Sequence, residues 1–206
     1  MPQTAFVLRI ALRRLKPVVW REVLVSPDTT LRALHAVIHA AMGWDDDHLY
    51  AFALPDGNKN FYALDKSRLY EPPLDADPWD IPGNNDAATT IADLLHAPKD
   101  RLLYMYDFGD SWEHVITLKE QVQTELPLPT LLAAQHACPL EDCGGPHGWA
   151  ALCQALANPG RPEFAKLARL YEGFDPVAFA PELREIAVAK LRLQEHVSAT
   201  ELETAD

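Results

Sequence analysis

Apolar residues occupy every second position in 4–12 and again in 18–25. That period is typical of β-strands, and Pro17 lies in the connection, where no ladder donor is needed. Residues 30–42 then change to a period near 3.6, which predicts an amphipathic helix that Gly43 can end in the left-handed conformation. The chain is therefore expected to begin strand, strand, helix.

Weaker patterns follow this opening. Residues 48–54 and 60–64 are predicted as two further strands, joined by a turn at Gly57. Residues 65–90 have no period and hold four prolines, so a partly ordered flap is expected there, with Trp79 as a point of attachment.

The middle of the chain predicts a second hairpin and two short helices. Residues 102–106 and 112–118 are interpreted as the strands of that hairpin. Residues 91–96 are expected to make one helical turn, and 128–135 a short helix between prolines and the next loop.

The C-terminal third has the pattern of helices. Pro146 suits the first position of one helix, residues 164–171 present the apolar face of another, and Pro181 begins a last one. Residues 197–206 have no apolar face, so a frayed tail is expected.

Together these patterns predict an α+β fold. A mixed β-sheet with a β-grasp-like ββα opening packs on the helix 30–42, and a helical cap follows. We expect a single domain over 1–196, with the sheet and main helix in 1–126 and the mainly helical cap in 127–196.

Composition narrows the class of protein. The chain has 206 residues, of which 48% are apolar, a usual globular share. No apolar run approaches the roughly 18 residues of a membrane span. Three cysteines cannot close a disulfide framework, and no segment resembles a signal peptide, so reduced thiols and a cytoplasmic location are expected.

The charge is acidic overall but uneven. The 18 basic and 30 acidic residues give a net charge of −12, which repels nucleic acid at long range. Nucleic acid is therefore not an expected partner, and the lack of a long apolar run argues against a membrane as well. A basic edge remains in the first strand pair, where Glu22 is the one acid beside five basic residues (Arg9, Arg13, Arg14, Lys16, Arg21).

Two clusters of polar residues are candidates for chemistry. One follows the main helix, where three consecutive aspartates precede His48. The other is the tip of the second hairpin, residues 104–114. The tip can be plain turn chemistry, or its carboxylates and His114 can form a metal or acid–base set.

The third cluster is Cys138-Pro139-Leu140-Glu141-Asp142-Cys143 with its Gly-Gly pair. Two thiols at this spacing are compatible with one zinc ion, although a second cysteine pair is missing. His35 and His39 lie one helical turn apart, a spacing that can bind metal. Ala36 stands where the zincin motif has glutamate, so a structural role is favoured for this pair.

These clusters together resemble the plasmid pRiA ORF-3-like family. The resemblance rests on motifs that occur in the family's order over about residues 5–180: Val19-Trp20-Arg21, Leu34-His35, Gly43-Trp44, His48-Leu49, Tyr104 to His114, Cys138 to Gly145, and Phe174-Asp175-Pro176 with Phe179. The family is carried on plasmids and mobile elements, and no activity is established for it. Leu140 departs from its pattern, in which a second proline is usual.

The resemblance implies that the three clusters meet in space. We then expect an acidic, aromatic binding pocket, in a non-enzymatic module that holds a protein segment or a small basic ligand. Its expected residues are Trp44, His48, Tyr106, Asp107, Asp110, Trp112 and His114.

The alternative is a metal-dependent enzyme, a hydrolase with zinc or another divalent metal. Its ligands would come from His48, His114, Cys138 and Cys143, with Glu141 or Asp142 as general base. DNA processing is a third hypothesis. The inherited resolvase label of some family members is not supported, because no serine lies among arginines and no recognition helix is evident.

Overall fold

A computed structural model describes residues 1–57, 59–73, 83–178 and 191. It has an α+β fold built on one eight-stranded sheet. The strands are β1 (Gln3–Leu12), β2 (Trp20–Val25), β3 (Tyr50–Ala53), β4 (Leu69–Glu71), β5 (Asn84–Asn85), β6 (Arg101–Tyr106), β7 (Trp112–Thr124) and β8 (Thr130–Gln135). The helices are α1 (Leu31–Met42), α2 (Gly145–Ala157) and α3 (Ala165–Leu170).

The sheet is mixed, in the order β5-β4-β3-β6-β7-β1-β2-β8. Neighbouring strands are antiparallel except β4 and β5, which pair in parallel. The predicted strand, strand, helix opening is present. Its finer likeness to a β-grasp unit stays a prediction, as does the single-domain organisation.

Helix α1 begins and ends where its sequence requires. The Thr30 side chain accepts a hydrogen bond from the Ala33 amide at 3.2 Å, and Gly43 ends the helix with φ of 92°. Leu34 and Ile38 are fully buried against the sheet. Burial of each such side chain stabilises the fold by roughly 1.5–3 kcal/mol, which holds α1 and the loop after it in place.

Helix α2 closes one end of this core. Trp149 and Leu152 are buried in the cluster that contains Ile38 of α1 and Ile116 of β7. The helix has proline in its first turn, as predicted from Pro146. Its first residue, Gly145, lies against the Asp110 backbone at the tip of the β6–β7 hairpin.

Two element predictions are wrong. Residues 128–135 contain strand β8, which pairs with β2, rather than a helix. The cap does not therefore begin at 127. Residues 60–64 form a 3₁₀ turn at Phe61–Ala63 instead of a strand. In both segments the tertiary environment overrides a weak local pattern.

The segment 65–90 is more ordered than expected at its two ends. Strands β4 and β5 extend the sheet there, and Asp86 is fully buried. Trp79 lies outside the described residues. So do the helix predicted from Pro181, apart from Leu191, and the tail 197–206.

Candidate functional site

Three loops meet at one edge of the molecule, and we call them together the three-loop rim: residues 43–48, 107–111 and 138–145. The indole N–H of Trp44 donates to the Pro139 carbonyl at 2.9 Å. The Asp45 amide donates to the Glu141 carboxylate at 2.6 Å, and the Gly144 amide to Asp110 at 3.1 Å. The three sequence clusters are thus in direct contact.

Unusual backbone angles shape each loop of the rim. Asp46, Asp107 and Asp142 have φ of 67°, 54° and 57°. Aspartate tolerates this left-handed region better than most side chains because it can bond locally. Gly145 is needed for close approach, since an added Cβ would lie 2.3 Å from the Asp110 carbonyl oxygen. One aspartate of each loop is therefore held in a set direction.

A buried aromatic layer supports the rim from below. Trp44 stacks on Tyr106 with ring centroids 5.0 Å apart, and its edge meets His114 at 5.4 Å. Tyr106, Trp112 and His114 have no exposed surface, whereas Trp44 keeps a small exposed fraction. Of the aromatic residues expected in the binding pocket, only Trp44 reaches a cavity described below.

His114 lies deep in this layer. Its Nδ1–H donates to the Trp112 carbonyl at 2.9 Å, and its Nε2 has no hydrogen-bond partner among the described residues. Burial disfavours the imidazolium and lowers the pKa of His114 to about 4. His114 is accordingly a neutral core histidine at pH 7.

Three side chains of the rim form a group that could bind a metal ion: His48, Asp107 and Asp142. His48 Nε2 lies 3.3 Å from an Asp142 carboxylate oxygen and 3.8 Å from Asp107. The three ligand atoms all lie within 4.8 Å of one another. The other oxygen of Asp107 accepts hydrogen bonds from the Gly109 and Asp110 amides at 2.8 and 3.2 Å, so this carboxylate is fixed.

Glu141 is held by two hydrogen bonds, one from the end of β6 and one from the loop 43–48. The Tyr106 hydroxyl donates to one of its oxygens at 2.5 Å, and the other accepts from the Asp45 amide. Burial and the bond to this carboxylate raise the pKa of Tyr106. The tyrosine therefore remains a donor, and Glu141 is placed at the side of the rim.

The cysteines do not join the predicted ligand set. Cys138 and Cys143 form no disulfide, and neither belongs to a group of metal-ligand atoms in the described part of the chain. Burial, with the negative charge of Asp110, raises the pKa of Cys143 to about 12. A thiolate is the form that binds metal, so the surroundings of Cys143 disfavour that role.

A second ligand group lies under α1, at the pair of histidines expected to be structural. His35 Nε2 is 2.7 Å from Asp46 Oδ1, and His39 Nδ1 is 3.9 Å from the same oxygen. Burial lowers the pKa of His35, and lowers that of His39 to about 3 with help from the neighbouring histidines. The spacing of the two histidines along the helix indicates this group in the sequence. The sequence does not indicate that Asp46 joins them.

Two cavities border the rim and α2. The first, which we call the acidic cavity, has a volume of about 950 Å³. Aromatic side chains and carboxylates line it together: Trp44, Tyr171 and Phe174 with Asp45, Glu141 and Asp175. The second has a volume of about 700 Å³ and is largely apolar, with Trp149, Leu156 and Pro176 among its lining residues.

Comparison with known proteins identifies relatives without assigning an activity. A sequence model described as plasmid pRiA4b ORF-3-like protein matches residues 4–183. The uncharacterized protein y4hQ of Sinorhizobium fredii (strain NBRC 101917 / NGR234) is 36% identical over 166 residues, which is 77% of this chain and 76% of that protein.

A solved structure shares the fold. It is the crystal structure of a protein of unknown function, MM3350 from Methanosarcina mazei Go1. The TM-score is 0.73 at 24% identity, and the match covers 87% of this chain and 96% of the other. Separately, none of the helices in the described residues is long and apolar enough to cross a membrane.

Proposed function

The chain belongs to the plasmid pRiA4b ORF-3-like family, and we propose that this member is a non-enzymatic binding module for a basic ligand. The ligand is an amine or guanidinium group on an apolar stem, held in the acidic cavity. A free small molecule and a Lys or Arg side chain of a protein segment share this chemistry.

The acidic cavity is the observation that carries the proposal. Its volume of about 950 Å³ lies within the usual range of small-molecule sites. Trp44 and Phe174 offer ring surface for an apolar stem and for a cation, while Asp45 and Glu141 offer negative charge. This combination favours a cationic ligand over an anionic one.

Arg21 is the basic residue in this lining. Its hydrogen bonds to backbone carbonyls indicate a structural role. Its Nε–H donates to the Ala41 carbonyl at 2.8 Å, and Nη1 donates to three further backbone carbonyls. Arg21 is fully buried. Its guanidinium therefore ties α1 to the end of β8. The exposed carboxylates of Asp45 and Asp175 remain in the lining for a ligand.

Isothermal titration calorimetry with blocked amino acids tests the proposal. N-acetyl-arginine amide and N-acetyl-lysine amide are expected to bind, and the uncharged N-acetyl-glutamine amide is not. Asp45→Asn should weaken binding about fivefold, the order expected for one partly exposed charge pair. The bond of Asp45 to Glu141 uses the backbone amide, so this change leaves it in place.

Asp47→Asn is the matched control. Asp47 is an exposed neighbour that does not line the acidic cavity, and its removal changes the net charge equally. Equal weakening by both variants would reduce the effect to general charge. Equal binding of the glutamine and arginine amides by the wild type would contradict the proposal outright.

A metal-dependent hydrolase is the second candidate, favoured by the His48, Asp107 and Asp142 group. Glu141 is then the remaining candidate for the general base, because Asp142 contributes a metal ligand. Elemental analysis should show that His48→Ala holds about one divalent metal per chain less than the wild type, whereas His96→Ala holds the same amount as the wild type. An equal metal content in the wild type and His48→Ala contradicts a site at His48.

DNA processing gains little from the structure. The basic edge is partly neutralised, because Arg9 pairs with Glu22 at 3.4 Å and both Arg13 and Arg14 pair with the buried Glu113. Binding of DNA that falls steeply with salt would revive this hypothesis.

A further inference from the structure

The group under α1 is built differently from the rim. His35 and His39 are 4% and 5% exposed, and both project from one face of the same helix. Asp46 approaches them from the loop after α1, and the three ligand atoms lie within 4.8 Å of one another. The Asp46 side chain is itself about half exposed to solvent.

The Tyr104 hydroxyl holds the far side of both imidazoles. It lies 2.8 Å from His35 Nδ1 and 3.1 Å from His39 Nε2. A hydroxyl oxygen has two acceptor lone pairs, so it can accept an N–H from each ring. With the hydrogens on those two nitrogens, His35 Nε2 and His39 Nδ1 both turn lone pairs toward Asp46. In the other tautomer of His35, the Tyr104 hydroxyl donates to Nδ1 and Nε2–H donates to Asp46.

In either tautomer of His35, one buried ligand atom of the group is unsatisfied. His39 Nδ1 has no hydrogen-bond partner within the described ranges, and 3.9 Å to Asp46 is too long for one. His35 Nε2 and Asp46 share a hydrogen bond of 2.7 Å, and a cation can take the place of the proton between them. One cation satisfies all three atoms together.

The surrounding rings fix the pair in place. Tyr50 stacks on His35 with centroids 3.5 Å apart. The Tyr50 hydroxyl donates at 2.6 Å to Asp86, a fully buried carboxylate that also pairs with Arg32 at 2.8 Å. Outer contacts that orient ligand rings are a regular feature of metal sites.

We propose that His35 Nε2, His39 Nδ1 and Asp46 Oδ1 bind one divalent transition-metal ion, with zinc the best match to this ligand set. Two imidazoles and a carboxylate suit zinc, and three protein ligands leave a position open to solvent. Zinc–ligand bonds of about 2.1 Å set tetrahedral ligand atoms roughly 3.3 Å apart. The distances to Asp46 of 2.7 and 3.9 Å bracket that value, so a small movement of its exposed carboxylate equalises them.

This site is separate from the proposed basic-ligand cavity. His35 and His39 do not line the acidic cavity, and neither does Asp46. It is also distinct from the rim group, since it shares no residue with His48, Asp107 and Asp142. Binding at each of the three sites can therefore be disproved without affecting the other two.

Cobalt(II) titration of the chelator-stripped full chain is the test, with visible absorption spectra as the readout. One equivalent should give the absorption bands of a low-coordinate nitrogen- and oxygen-ligated ion, and zinc should displace it. His39→Gln keeps an amide that can donate to Tyr104 and should abolish binding. Asp46→Asn, at an exposed position, should weaken binding at least tenfold.

The controls separate the sites. Asp47→Asn and His96→Ala should both bind cobalt as the wild type does. If His39→Gln fails to fold, as judged by circular dichroism, Asp46→Asn decides alone. Absence of binding in the wild type would overturn the proposal, and so would wild-type affinity in Asp46→Asn. Loss of binding in His48→Ala alone would assign the ion to the rim instead.

Discussion

Acidification from pH 6.5 to 4 is expected to remove about 3 kcal/mol of stability through His114 alone. Its pKa falls from the ordinary 6.5 to about 4 in the folded protein, at roughly 1.36 kcal/mol for each pKa unit. Between pH 6.5 and 4, His114 is protonated in the unfolded chain but stays neutral in the folded chain. Stability is therefore complete above pH 6.5 and falls until the folded pKa is reached.

The measurement is urea denaturation at several pH values with chelator present, on the wild type and His114→Asn. Asparagine retains a donor for the Trp112 carbonyl and has no titration in this range. The variant is less stable at every pH because the imidazole volume is lost. The quantity compared is therefore the change in the free energy of unfolding with pH. The wild-type free energy of unfolding should fall about 3 kcal/mol further than that of the variant. Parallel pH profiles would show that His114 titrates normally in the folded state.

Gly148→Ala is expected to destabilise the chain by about 3 kcal/mol or more. An added Cβ would lie 1.7 Å from the Cys143 carbonyl oxygen and 2.7 Å from its carbon, so backbone must move. Forced overpacking costs typically 1–3 kcal/mol and occasionally more. The displaced segment is the rim loop 138–145, so the Trp44 indole should also change its fluorescence.

Gly160→Ala is the matched control, since no atom lies within 4 Å of its added Cβ. There alanine reduces the freedom of the unfolded chain, and the effect should be near zero or slightly stabilising. Both variants are compared by chemical denaturation. Similar unfolding free energies for the two would show that α2 does not pack as closely on the 138–145 loop as described.

Much of the fold could be predicted because strong periodic patterns decide it locally. The first strand pair, α1 with its Gly43 end, and the hairpin β6–β7 follow directly from alternation, helical spacing and turn residues. Membership of the family was also accessible, since the motifs of the three loops stand in order along the chain. That order is what suggested their contact.

Other features depend on partners distant in sequence. Thr130–Gln135 becomes a strand because the edge of β2 is available to pair with it, which no local pattern reveals. The role of Asp46 was hidden for the same reason. Three successive aspartates look alike in sequence, and only the left-handed turn of the loop directs one of them toward His35 and His39.

The acidic cavity also needed the assembled structure. Trp44 was identified from its motif, but Tyr171 lies more than a hundred residues away and belongs to a helical face. Conversely, Trp112 and His114 have the residue types of a binding pocket and yet are fully buried. Residue type indicated the region, while burial decided which side chains a ligand can reach.

Backbone amide NMR shows whether the acidic cavity binds a basic ligand and which residues the ligand contacts. The ¹⁵N-labelled chain is titrated with N-acetyl-arginine amide, and shift changes are mapped on the sequence. We predict saturable changes concentrated in residues 44–45, 137–141 and 171–175, together with the Trp44 indole. Spectra unchanged at millimolar ligand, or changes confined to the apolar cavity around Trp149, would show that the acidic cavity does not bind this ligand.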